Sequence, residues 1–280
     1  MSITPSDKLV TQSATEYWDK NRKTFTSQIG KWIGGEDVHC RGYSLFGDLF
    51  NKVSYMQLSV LNATGKLISP ELGRWLENNF MCLSYPDARI WCNQVGAFSG
   101  AMHSTPTAAT VAGSLAADSK IYGGGQASKI CMDYLREILK EYQAGTSIED
   151  IVNSAPIKQG RPAIIGFARP IVRDDERIEP TRKMTKELGF GIGEHMQLAN
   201  SLSSYLEEHY SMGINIGGFI SAFMLDQGFT PEEVYLIHNM SVSSGVTACY
   251  TEFHGLPENS FFPQHCSDIE YTGIKPRKIP

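Results

Sequence analysis

No two of the six cysteines, at positions 40, 82, 92, 131, 249 and 266, fall in the Cys-x-x-Cys spacing of a zinc or thiol–disulfide centre. They are expected to be small buried apolar side chains. The seven histidines are equally scattered, and none stands four residues from another. That removes the helical His-x-x-x-His pair, so no metal is expected. No Gly-x-Ser-x-Gly elbow occurs, which argues against a serine hydrolase of that type. A basic stripe is missing as well. The 25 Lys and Arg are outnumbered by 30 Asp and Glu, for a net charge of −5 and a pI of about 5.8. Phosphate backbones are held by clustered cations, so no nucleic-acid partner is expected. No apolar run approaches the roughly 18 to 20 residues that cross a bilayer. The polar start, Met1 to Lys8, lacks the apolar stretch of a signal peptide. The expectation is a soluble, cytoplasmic protein with no membrane partner.

What is present is enough apolar material for a core. Apolar residues make up 41% and charged residues 20% of 280, a length that suits one large domain or a core plus a smaller lobe. Helical signals dominate. Residues 6–29 carry a moderate amphipathic pattern. Ser69-Pro70-Glu71 reads as an N-cap followed by proline at the first helical position. Thr146 with Glu149 reads as a capping box, and Thr230-Pro231-Glu232-Glu233 as another helix start. Residues 97–117 are rich in Ala, Gly, Ser and Thr, and predict a closely packed, interfacial helix pair. Strand signals are few: residues 161–167 and 214–219 read as short strands hemmed by Gly and Pro. Breaks at 158–162 and 187–193 flank a smaller lobe, residues 130–211.

Three motifs carry chemistry. Gly123-Gly124-Gly125 precedes a helical run over 126–141. Bare amides there could hold an anion, or the glycines could serve only a turn where two backbones meet. Gly189-Phe190-Gly191-Ile192-Gly193 lacks the preceding strand and full spacing of a dinucleotide loop. Arg169, Arg173 and Arg177, with Asp174, Asp175 and Glu176 among them, read either as a carboxylate- or phosphate-binding set or as a solvated ion-pair network.

Four ordered segments resemble the citrate synthase / citryl-CoA lyase superfamily. They are Arg41-Gly42-Tyr43-Ser44-Leu45-Phe46-Gly47-Asp48-Leu49 with Thr64-Gly65; Ile121-Tyr122-Gly123-Gly124-Gly125-Gln126-Ala127; Ile165-Gly166-Phe167-Ala168-Arg169-Pro170 with Asp175-Glu176-Arg177; and Ile214-Asn215-Ile216-Gly217-Gly218-Phe219. Tyr271-Thr272-Gly273 is similar to the family's closing motif. The resemblance covers the chain from about Val38 onward. It implies an all-α fold with a large helical domain, residues 1–129 and 212–280, which supplies a homodimer interface. A small helical domain, 130–211, closes over the substrates. It also implies carbon–carbon bond chemistry between an acyl-CoA and a 2-oxo acid, with no bound cofactor and coenzyme A entering as a thioester substrate.

The departures are specific. Where the family places two histidines and an aspartate base, this chain has Tyr122, Arg169 and Gly217, and the upstream Asp-His-Gly reads Asp87-Ala88-Arg89. Glycine cannot act as a carbon-acid base. Arg169 cannot be a neutral acid, but it can stabilise an oxyanion. The family's late arginine has no counterpart in residues 240–245. Two readings follow. The first is a re-tooled acyltransferase or lyase with Tyr122, Arg169, Asp87 and His238 (or His254) as working groups. Arg177, Gly123, Gly124, Arg89 and Asn215 would then bind an acyl-CoA or a small carboxylate. The second is a catalytically inactive dimeric binding or scaffold protein on the same fold.

Overall fold

The computed structural model describes residues 14–23, 25–119, 124–169, 175–257, 260 and 265–279. The chain falls into two compact units, Met1–Leu67 and Ile68–Pro280. No helix among the described residues is long and apolar enough to cross a membrane.

The first unit begins with α1 (Ala14–Asn21), followed by β1 (Gly30–Ile33), β2 (Asp37–Cys40) and β3 (Tyr43–Ser44). The strands form an antiparallel sheet in the order β1-β2-β3, with Gly30 opposite Cys40 and Ile33 opposite Asp37. A π-type turn, Leu45–Leu49, leads to α2 (Tyr55–Thr64). Ser54 and Gln57 close a capping box on α2, and Gly65 ends it in the left-handed region at φ +81°, which glycine adopts without steric cost. The core joins Cys40, Leu49 and Leu61. The helix expected over residues 6–29 is corrected to α1 for its described part, because Phe25 is 97% exposed and Ile29 51%. Their apolar spacing buries no face, and the chain past Ile29 satisfies its backbone in the sheet instead.

The second unit is helical. It comprises α3 (Pro70–Leu83), α4 (Trp91–Ala101), α5 (Pro106–Ala117), α6 (Gly125–Gln143), α7 (Ile148–Ser154), α8 (Ile178–Glu187), α9 (Glu194–Tyr210), α10 (Ile216–Asp226), α11 (Pro231–Ile237) and α12 (Ser243–His254). A two-residue hairpin, β4 (Ile157–Lys158) with β5 (Arg161–Pro162), lies between α7 and α8. Ser69 caps α3 ahead of Pro70, and Thr230 with Glu233 closes a capping box on α11. The start expected at Thr146 is displaced by one residue: Ser147 caps α7 by accepting from Asp150 N–H.

The small-residue stretch forms the expected helix pair, α4 and α5. Gly96 and Gly100 let α4 lie directly on α12. A Cβ at Gly96 would stand 2.5 Å from Val246 O, and one at Gly100 2.4 Å from Tyr250 O. Helix α10 is the buried centre. Almost every residue from Ile216 to Leu225 is inaccessible, and the helix packs on α6 and α9. Trp75 of α3 stacks on Phe223 at 4.0 Å and donates its indole N–H to Thr185 Oγ1 at 2.8 Å, so the ring is buried with its polar atom satisfied.

Candidate functional site

Two loops of the second unit are fastened together at the start of α10. Phe167 and Ile214 form an antiparallel bridge. Ala168 N–H donates to Gly213 O at 2.8 Å, and Asn215 N–H to Gly166 O at 2.9 Å. The Asn215 amide then does two jobs: Nδ2 donates to Ala168 O at 2.7 Å, and Oδ1 accepts from Gly218 N–H at 3.1 Å as the N-cap of α10. The approach is close because both facing residues are glycine. A Cβ on Gly218 would stand 2.2 Å from Gly166 O, and Gly166 itself sits at φ +93°. Ala168 also has φ +93°, a conformation that costs an L-residue about 1–3 kcal/mol and persists only where surroundings enforce it.

This corrects the strand expected over 214–219. Ile214 contributes one bridge, and the helix begins at Ile216 because Asn215 caps it. The strand expected over 161–167 shrinks to β5 and the bridge at Phe167.

Asp175 holds the arginines in place. Its side chain is 1% exposed. Oδ1 accepts from Arg177 Nε at 2.7 Å and Arg177 N–H at 3.2 Å. Oδ2 accepts from Arg177 Nη2 and from Ile216 N–H, both at 2.8 Å. Arg169 Nη1 lies 3.7 Å from Asp175 Oδ1 and pairs with Glu176. Among the described residues of this set, Asp175 is buried and Arg169 and Arg177 nearly so, while Glu176 is exposed. Arg169, Arg177 and Asn215, three of the residues singled out from the sequence, converge at the N-terminus of α10. Sequence reasoning placed Asp175 in the acidic run but had no means of separating it from Glu176, whose side chain is 66% exposed.

Burial alone would raise the Asp175 pKa and is the largest single influence, but the Arg177 hydrogen bonds and charge, with the Ile216 and Arg177 amides, outweigh it and leave it lowered. A lowered carboxylate contributes stability above its unfolded value, ordinarily near 3.8, and loses it as pH falls through the lower folded value. Asp175 should therefore support the fold from neutral pH down to about pH 4 and cease to do so below that. Acid unfolding followed by circular dichroism should show this, with Asp175→Asn flattening the profile only at the acid end. An unchanged acid limb in that variant would mean that the pair contributes nothing.

The other sequence-named residues lie elsewhere. Asp87 and Arg89 pair with each other at 2.7 Å on the surface, with Arg89 91% exposed. The Arg89 guanidinium holds Asp87 down at about 2, so Asp87 is ionised at neutral pH. The loop that carries them docks on α12 through Ser84 Oγ, which accepts from Gly245 N–H at 2.9 Å.

His238 is buried beside Phe80. Its Nδ1 lies 2.9 Å from Val234 O, which assigns the proton to that nitrogen. Nε2 has no hydrogen-bond partner. Burial lowers the pKa of this ring, so it is neutral. His254 ends α12, 4.7 Å from the ring of His103.

Gly124 begins α6 at φ +83°, and a Cβ there would stand 2.2 Å from Ala117 O. The glycine turn is thus a close backbone contact, and no side chain caps the helix. Tyr122, Gly123 and Arg173 lie outside the described residues. The Gly-Phe-Gly-Ile-Gly loop leads into α9, whose first amides, at His195 and Met196, donate to the Asp226 carboxylate. Asp226 occupies the place that a phosphate would need. Gly217, on the first turn of α10, has, among the described residues outside its own helix backbone, Asn215 Oδ1 within 4 Å of where a Cβ would stand.

No known family model matches the sequence. No curated protein is significantly similar to it either. Solved structures are. Citryl-CoA lyase from Hydrogenobacter thermophilus superposes with a TM-score of 0.72 at 22% identity, covering 91% of this chain and 97% of that one. ATP citrate lyase from Methanothrix soehngenii, solved with citrate and coenzyme A, gives 0.71 at 15% identity over 98% of this chain but 46% of its own. Citrate synthase from Thermoplasma acidophilum gives 0.62 at 14% identity, covering 81% of this chain and 59% of its own. The chain therefore has the citrate synthase-like fold, mostly α-helical, as the four sequence motifs implied.

Proposed function

We propose that this protein is a citrate synthase-like enzyme with a re-tooled site, which forms or cleaves a carbon–carbon or related acyl bond on an acyl-CoA thioester or an acidic small molecule. The observation that carries the reading is the junction of the two loops, which sets Arg169 and the Arg177–Asp175 pair against the start of α10. A guanidinium pre-oriented by a buried carboxylate suits recognition of a planar carboxylate. Arg169, next to the strained Ala168, suits a developing oxyanion. Gly217 supplies no carboxylate base, so ordinary citrate synthesis is not the reaction. In this reading residues 130–211 are the smaller lobe, and the remainder is the larger lobe of a homodimer. The half-exposed Phe98 of α4, Met102 just past its end and Val111 of α5 suit a face between two copies.

Thermal shift with a panel of di- and tricarboxylates and short acyl-CoA thioesters tests the proposal. A ligand at 100 times its Kd stabilises by about 2.7 kcal/mol. At least one carboxylate should raise the melting temperature, and Arg177→Lys, which keeps the charge but loses the bidentate fork, should weaken that ligand about tenfold. Citrate formation from acetyl-CoA and oxaloacetate should be absent. Silence across the whole panel would favour the inactive scaffold instead.

A further inference from the structure

Two histidines that no local spacing connects are brought side by side by the packing of α4 on α12. His103 follows the end of α4, and His254 is the last residue of α12. Their ring centroids are 4.7 Å apart, with the planes at 44°. The two helices run in the same direction there: Gly96 meets Val246, and Gly100 meets Tyr250 and His254. A Cβ at Gly100 would stand 2.9 Å from His254 N, so the two helix ends lie against each other. The segment after α4 is tied down as well. His103 N–H donates to Gly100 O at 2.9 Å, and Tyr250 Oη donates to Ser104 O at 2.7 Å.

The spacing suits chelation. Two imidazoles bound to one ion at about 2.0–2.1 Å, at an angle between about 90° and 109°, have ring centroids about 4.5–5.2 Å apart. Both side chains are exposed, so rotation about χ1 and χ2 is open to each ring and can turn a nitrogen toward the gap. The local field favours a cation, because two helix C-termini meet there and each carries a partial negative charge. Residues 90–119 and 240–274 contain no Lys or Arg to repel one. Among the described residues no third His, Cys, Asp or Glu completes a cage, so water would fill the remaining positions. We infer that His103 and His254 chelate one divalent ion of the late first transition series, Ni²⁺, Cu²⁺ or Zn²⁺, for which imidazole is a preferred ligand. Mg²⁺ prefers oxygen and is excluded. The inference stands apart from the carboxylate reading of the arginine loop, and either can fail alone.

Calorimetric titration of the whole, untagged protein with NiCl₂ tests this, with MgCl₂ as the contrast. The wild type should take up Ni²⁺ and not Mg²⁺. His103→Asn and His254→Ala should each weaken Ni²⁺ at least tenfold, since either leaves a single imidazole. Both positions are exposed, and asparagine accepts the left-handed backbone that His103 adopts at φ +53°, so both variants should melt close to wild type. His209→Ala removes another exposed histidine and should leave Ni²⁺ uptake unchanged. A measurement on the wild type alone guards against variants that fail to fold: Cu²⁺ added below one equivalent should broaden the ring-proton NMR signals of His103 and His254 ahead of those of the other histidines. No Ni²⁺ uptake by the wild type would overturn the inference, as would equal uptake of Mg²⁺. Uptake that falls less than tenfold in either variant would do the same, and so would earlier broadening at another histidine.

Discussion

Asp175→Ala should lower the melting temperature by on the order of 10 °C, the larger of two expected stability losses. The side chain is 1% exposed and its two oxygens satisfy four donors: two guanidinium N–H groups, the Arg177 amide and the Ile216 amide. Truncation leaves the Arg177 guanidinium, itself 18% exposed, without its counter-charge. Breaking one side of a buried ion pair costs about 3–5 kcal/mol, and each kcal/mol shifts melting by about 2–4 °C in a chain somewhat smaller than this one. The cost belongs to the abandoned cation more than to the pair. The double variant Asp175→Leu/Arg177→Met should therefore recover most of the loss in stability while abolishing carboxylate binding. Differential scanning calorimetry of the cycle decides the matter. A single variant that melts within a degree or two of wild type would show that Arg177 reaches solvent and that the pair is not structural.

Gly218→Ala should cost about 3 kcal/mol and open the site. The added Cβ would lie 2.2 Å from Gly166 O and 3.0 Å from Gly166 C. The obstacle is backbone, so no side-chain rotation relieves it, and the two loops must part. Overpacking of this kind costs about 1–3 kcal/mol, occasionally more. Parting the loops also strains the hydrogen bonds from Asn215 to Gly166 O and Ala168 O. Gly217→Ala is the milder control: among the described residues its Cβ meets Asn215 Oδ1 at 3.1 Å, a side-chain atom that need give only a few tenths of an ångström, and the helical position tolerates alanine. Gly218→Ala should lose both stability and whatever carboxylate response the wild type shows, whereas Gly217→Ala should lose neither. Equal melting of the two variants would count against the tight junction.

Much of this molecule was legible along the chain because helix starts are local events. Ser69 before Pro70, and Thr230 three residues before Glu233, satisfy the first amides of their helices through side chains a few atoms away, and that chemistry needs no distant partner. The ordered motifs that pointed to the citrate synthase-like fold are local too. Tertiary structure decided the rest. Residues 214–219 have strand-like composition, yet Asn215 turns them into a helix by capping Gly218 while its amide reaches Ala168, 47 residues away in the chain. Asp175 and Glu176 are neighbours of the same charge, and only the position of Ile216, 41 residues on, makes one a buried anchor and the other a surface group. Which side of a short polar loop faces the core depends on what packs against it, and a sequence contains that information only through the whole fold.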